Sequence, residues 1–203
     1  MNRCELDRIQ HVQAKVLASV FDPSCLDVAI AVFHRWIQLD ACEELLVDVA
    51  DYRHLPVGPA IILVGHEANY CLDRTHGRPG LLYARKTVLK GSLSTRILYS
   101  MRQAFLAARR LAEEPELRGK LAFDYSGWEI VFNDRLLAPN TDASWSALGD
   151  ELRRLLSPWY SGDHGQCSLQ RLGEPRDLLR IGLQLPVAED HATRLEKFLA
   201  SAG

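Results

Sequence analysis

Residues 45–88, LLVDVADYRHLPVGPAIILVGHEANYCLDRTHGRPGLLYARKTV, limit what this chain can fold into more than any other stretch. Three apolar runs alternate with two turns rich in proline and glycine, at 54–59 (HLPVGP) and 74–80 (RTHGRPG). The runs are short and rich in β-branched and aromatic residues, which predicts strands: Leu45 to about Tyr52, Ala60 to Leu72, and Leu81 to about Val88. Linked in this way they form an antiparallel meander. A turn centred near His76 sets Tyr70 opposite Tyr83, His66 opposite Thr87 and Glu67 opposite Lys86. Side-chain alternation then puts Gly65, Glu67, Asn69 and Cys71 on one face and Val64, His66, Ala68, Tyr70 and Leu72 on the other. A slip of one residue would exchange the two faces.

Upstream, Leu6, Ile9, Val12, Val16, Leu17 and Val20 recur at helical spacing and predict an amphipathic helix over 3–20, broken by Phe21-Asp22-Pro23-Ser24. The next run, 28–38 (VAIAVFHRWIQ), fits two templates. Ser24 with Asp27 resembles a capping box, and Leu26, Ile30, Phe33 and Ile37 are spaced as on a helix, whereas unbroken apolarity with β-branched residues fits a buried strand. The strand is preferred because it would pair with the meander.

Downstream, Leu98, Met101, Phe105, Ala108 and Ala112 form a stripe that predicts a helix from Ser92 to Glu114, ended by Pro115. Residues 120–134 (KLAFDYSGWEIVFND) read as a hairpin turning at Ser126-Gly127. Asn140-Thr141-Asp142 can cap a helix whose stripe is Trp145, Leu148, Leu152 and Leu155, extending toward Trp159. A polar loop at 161–166 precedes strands at 167–172 and 178–185, and 189–202 reads as a terminal amphipathic helix.

This order predicts an α+β fold: a mostly antiparallel sheet, made of a meander plus later hairpins, covered on one face by amphipathic helices. With 203 residues, no linker and no internal repeat, one compact domain spanning 1–203 is expected, 115–120 being where it would divide. The element order resembles that of secretion-chaperone-like and related small α+β dimeric modules. The resemblance covers order alone, without a shared motif, and implies dimerisation but no activity.

Charge narrows the partners. A net charge of -2 with dispersed basic residues disfavours nucleic acid. No apolar run approaches the roughly 20 residues a membrane-spanning helix needs, and the N-terminus MNRCELDRIQ has no apolar core, so a cytoplasmic protein with no membrane partner is expected. The five cysteines, Cys4, Cys25, Cys42, Cys71 and Cys167, are odd in number and widely spaced. They read as reduced thiols, not as a disulfide frame or zinc knuckle.

Chemistry is best sought among Asp48, Asp51, His54, His66, Glu67, Asp73 and His76. Imidazoles and carboxylates suit a divalent metal, with His54, His66 and Asp73 the candidate ligands. No His-Glu-x-x-His occurs, and His66 and Glu67 point to opposite faces of a strand. Against the metal stands the plainer reading of turn polar groups plus a Glu67–Lys86 cross-strand pair. Arg85 and Lys86, with Asp51 and His54, are the candidate ligand-binding residues, since guanidinium and ammonium groups hold phosphate or carboxylate. His66, Glu67 and Lys86 are the candidates for acid–base catalysis. No nucleophile elbow is present, and neither Cys71 nor Cys167 has an activating neighbour in sequence.

The resulting expectation is a non-enzymatic binding or assembly module that acts through a protein or small-ligand surface, its sheet or the helix from Ser92 to Glu114, as a homodimer or with a protein partner, and needs no cofactor. The alternative is a metal-dependent or acid–base enzyme centred on residues 48–76.

Overall fold

The computed structural model describes residues 3–158, 167–186 and 191–200. After a single turn of helix, α1 (Arg3–Leu6), the chain enters a strand, β1 (Val12–Phe21), and not the long helix that 3–20 suggested. Val12, Val16 and Val20 satisfy a period of two as well as a period of four. Pairing on both sides decides for the strand, which buries Val12, Ala14 and Val16 on one face.

The run at 28–38 resolves the opposite way, as helix α2 (Cys25–Gln38), correcting the preferred strand. Its buried residues Leu26, Ala29, Val32, Phe33 and Trp36 step by three and four. Ser24 makes no side-chain cap; the Asp22 carboxylate instead accepts the Ser24 N–H at 2.8 Å, so the capping-box reading found the helix for the wrong reason.

The meander follows as β2 (Leu46–Asp51), β3 (Pro59–Gly65), β4 (Ala68–Asp73) and β5 (Gly80–Arg85). What reads as one strand from Ala60 to Leu72 is two, reversed at His66-Glu67. Gly65 permits the reversal, because a Cβ there would lie 2.6 Å from the Ala68 carbonyl oxygen. The register between β4 and β5 is the expected one, with Tyr70 opposite Tyr83. The Glu67–Lys86 pair does not form: Glu67 pairs with Arg85 at 2.9 Å, and the Lys86 ammonium donates to the Gly65 carbonyl.

Helix α3 (Leu93–Glu113) agrees with its stripe. Ser92 caps it by accepting the Thr95 N–H, and Glu114 leaves it in an extended conformation before Pro115. Residues 121–132 are one strand, β6 (Leu121–Phe132), and not a hairpin. Ser126-Gly127 lies in a bulge, where pairing with β1 jumps from Val16–Trp128 to Leu17–Asp124. Asp124 steadies the bulge by accepting from the Ser126 N–H at 2.9 Å. Helix α4 (Asp142–Leu156), strands β7 (Ser168–Leu172) and β8 (Leu179–Gln184) and helix α5 (His191–Ala200) are the remaining elements of the described residues. Trp159 and the 161–166 loop lie outside the described residues.

Among the described residues eight strands pair antiparallel in one sheet, in the order β2-β3-β4-β5-β1-β6-β8-β7. One face, carrying Leu63, Tyr70, Tyr83, Ala14, Ile130 and Ile181, shares a single apolar core with α2, α3, α4 and α5. Arg96 of α3 is buried and holds the N-terminal segment to this layer, donating to the carbonyls of Asp7, Ile9, Leu89 and Gly91.

The opposite face carries no helix of that core. It includes a line of buried ionic groups. Lys15 on β1, wholly buried, donates to Asp73 on β4 at 2.6 Å and stands 3.7 Å from Glu129 on β6. Glu129, also wholly buried, pairs with Arg180 on β8 and lies 3.0 Å from the Arg78 Nε. Burial works against the Asp73 carboxylate, but Lys15 and the Thr75 hydroxyl outweigh it and hold the carboxyl below its ordinary value.

Removing the shared cation leaves two carboxylates without it in a dry environment, which is far costlier than never having buried them. Lys15→Met is expected to destabilise the protein by about 3 kcal/mol, read from urea midpoints. Lys15→Met combined with Asp73→Leu should recover part of that loss. Equal midpoints for Lys15→Met and the native chain would contradict this account.

Candidate functional site

A cleft of about 360 Å³ lies between the α2–β2 connection and the middle of α3. The connection is shaped by a left-handed residue, Asp40 (φ 47°), after which the Ala41 N–H returns to the Trp36 carbonyl at 3.0 Å. That reversal sets Ala41, Cys42 and Glu43 along one wall. Gln103, Leu106, Ala107 and Arg110, which recur every three or four residues on one side of α3, form the other.

The floor is Tyr70, 1% exposed, from the core-facing side of β4. Its hydroxyl makes no hydrogen bond of ordinary geometry, although the Cys42 thiol interacts with it. Burial pushes the phenol far up and the nearby Cys42, Glu44 and Tyr83 push it further, so it stays protonated and keeps an O–H to donate. The Cys42 thiol is itself pushed up to about 11, mainly by burial, which makes it a poor nucleophile at neutral pH.

The rim is charged and balanced. Glu43 accepts from Gln103 Nε2 at 2.9 Å and pairs with Arg102 at 3.2 Å, contacts that hold its carboxyl below the usual range. Arg110 donates to the Ala41 carbonyl and lies 5.6 Å from the centre of the Trp36 ring. Arg109 pairs with Glu196 of α5 at 2.5 Å and stands 3.8 Å from Glu113.

Behind the floor, Tyr70, Tyr83 and Tyr99 stack edge to face, with centroids 5.2 and 6.2 Å apart. Tyr83 donates to the buried carboxylate of Glu44, and Arg85 lies 5.3 Å over the Tyr99 ring and 3.7 Å from Glu44. Desolvation dominates at Glu44 and raises its carboxyl above 4.5 despite Tyr83 and Arg85. Its second oxygen has no hydrogen-bond partner.

The residues singled out from sequence are dispersed. His54 lies in the turn after β2, beside Tyr52 at 6.2 Å between ring centroids, whereas His66 lies in the β3–β4 turn at the other end of β2. Asp73 is engaged by Lys15 on the helix-free face. Among the described residues no three His, Cys, Asp or Glu side chains stand close enough to share a metal ion. Asp51 holds Arg53 at 2.6 Å, and that pairing lowers its carboxyl to about 2. Arg85 is taken up by Glu67, Tyr83 and Tyr99, and Lys86 by the Gly65 carbonyl. Of the whole set, Arg85 comes nearest the cleft, one tyrosine behind its floor. Residues 41–43 and Tyr70 were not singled out from sequence, and the helix from Ser92 to Glu114 was expected as a partner surface and not as the wall of a cleft. The one available hint was Cys42-Glu43-Glu44 immediately after an apolar helix.

The chain matches no protein-family model, no curated protein and no solved structure. Among the described residues no helix is long and apolar enough to cross a membrane.

Glu44 gives the neighbourhood of the cleft a pH signature. A carboxyl whose folded value lies above its unfolded one binds its proton more tightly when folded. Its contribution is therefore favourable below about 4.5 and is lost as pH rises through the folded value. Glu44→Gln should remove that dependence, so the urea midpoint of the variant should gain on the native protein between pH 5 and pH 8. A gap that stays constant with pH would refute the assignment.

Proposed function

We propose that this chain is a binding module whose ligand occupies the cleft over Tyr70. The observation that carries the reading is Tyr70, which lines a concavity large enough for a small molecule and whose buried hydroxyl has only the Cys42 thiol beside it and no well-formed hydrogen bond. Unmet buried donors cost free energy, roughly 1–3 kcal/mol each, and a ligand acceptor would recover it. The Ala41, Leu106 and Ala107 side chains supply apolar contact halfway up.

The rim narrows the ligand. Glu43 and Glu113 offset Arg109 and Arg110, so the opening has no net preference for either sign. It suits an uncharged or zwitterionic compound with an acceptor at its inner end and an apolar middle. The groups around the cleft favour binding over turnover: its thiol is held protonated, its phenol is a donor only, and its carboxylate Glu43 is already hydrogen-bonded.

Two substitutions separate binding from stability. Tyr70→Phe should leave the free protein as stable as before, or more stable by about 1 kcal/mol, because it deletes an unsatisfied group. The same variant should weaken ligand binding about tenfold, the loss of one buried hydrogen bond. Ala107→Leu should fill the cleft and abolish binding. The check is a panel of aryl and short-chain amides and zwitterions, followed by amide chemical shifts of residues 41–44 and 103–110. If no compound perturbs those amides, or if the perturbations persist in Ala107→Leu, the proposal falls.

A further inference from the structure

On the helix-free face of the sheet, away from the cleft, the line of ionic groups ends beneath a smaller hollow of about 100 Å³, lined by Arg78, Ser168, Gln170, Gly182, Leu183 and Gln184. We infer that this hollow is a site for a single small oxyanion, such as phosphate or sulfate, held by the Arg78 guanidinium.

Charge is the first argument. Among the described residues Lys15, Arg78 and Arg180 pair only with Asp73 and Glu129, so there three cations meet two carboxylates and one positive charge is in surplus. Both carboxylates are buried and already engaged, so the surplus is not relieved from below. Asp124, another acid of β6, is occupied with Ser126, and Ser126 in turn accepts from Gln184 Nε2 at 2.6 Å.

Geometry is the second. Arg78 reaches across the sheet from the turn before β5 to β8, and its Nε stands 3.0 Å from Glu129 Oε1 without the alignment of a hydrogen bond. Among the described residues its one ion pair runs through Nε, and no acceptor is within hydrogen-bond geometry of its two terminal nitrogens. One of them, Nη1, would lie 3.5 Å from a Cβ built on Gly182, so it borders the space that glycine leaves open. A guanidinium anchored along one edge, with its other donors directed into a hollow, is arranged for two-point contact with an oxyanion.

The surrounding groups agree. Gln170 and Gly182 lie opposite each other on β7 and β8, as do Ser168 and Gln184, all on the same face as Glu129. The Ser168 hydroxyl and the Gln170 amide add neutral donors. A space of about 100 Å³ holds about three waters at liquid density, enough for one tetrahedral anion and too little for a nucleotide.

The test uses the full chain at constant ionic strength, titrated with inorganic phosphate, with sulfate and with chloride. Phosphate and sulfate should give saturable shifts of the Gly182 and Gln170 amides and of Arg78 Nε, while chloride should not. Arg78→Gln should weaken phosphate binding at least tenfold. Gly182→Val, which keeps every charge and only fills the hollow, should abolish it, and this variant keeps the test valid if Arg78→Gln fails to fold. Shifts of equal size with chloride, or phosphate binding that survives Gly182→Val, would overturn the assignment. The cleft over Tyr70 is unchanged in both variants, so its ligand panel should respond as in the native protein.

Discussion

An eight-stranded sheet that places its helices on one side must solve two different problems with one backbone. On the covered side, apolar residues of alternate positions meet helices and form a continuous core. On the other side the same strands present the intervening positions, and in the central strands those positions are too crowded by their neighbours to be wetted. Lys15 and Glu129 face each other across β1 and β6 in that position, both without exposure. Neither would be tolerated alone. Together with Asp73, Arg78 and Arg180 they make a network in which every carboxylate meets at least one cation. Such a network adds little net stability over an apolar equivalent. It does resist register slippage, because moving β1 by one residue would carry Lys15 into the apolar core.

That constraint explains which parts of the fold were legible in the sequence. The β4–β5 register could be read because the turn length around His76 and the alternation of Ala68, Tyr70 and Leu72 point to the same pairing. Helix α3 could be read because its stripe, its Ser92 cap and Pro115 agree. The N-terminal strand could not. Valines at 12, 16 and 20 fit either period, and only the two partner strands, contributed by residues 80–85 and 121–132, settle which applies. Residues 28–38 misled in the reverse direction, since β-branched residues are acceptable in a helix whose other faces are half-buried. Ser126-Gly127 has turn chemistry but sits in a bulge, because β1 extends past it and supplies a partner on both sides of the kink.

The site was less legible than the fold, for a physical reason. Histidines and acids were sought where they cluster along the chain, yet an antiparallel meander separates residues near in sequence and gathers distant ones. His54 and His66 flank opposite ends of β2, about 20 Å of strand apart by its rise per residue. Tyr70, Cys42 and Gln103 come together from three elements. The sequence does hold one hint, Lys15 and Glu129, each a charge flanked by apolar residues, in Ala14-Lys15-Val16 and Trp128-Glu129-Ile130. A charge in such a place is buried with a partner or is functional, and in the central line of this sheet the two explanations overlap.

β4 ties both concavities to one rigid element. Tyr70 projects from it toward the helices and floors the cleft; Asp73, three residues on, projects the other way and anchors Lys15. Strands and α3 carry most of the groups that line the two places, while the 41–43 connection and the turn that bears Arg78 supply the rest. The two places differ in what they leave unmet. The cleft lacks an acceptor for one neutral hydroxyl and has a balanced rim, whereas the hollow over Glu129 lacks a counterion for one positive charge. A compound suited to the ligand site proposed for the cleft has no reason to enter the anion site proposed for the hollow, and the two proposals fall on opposite faces of the sheet.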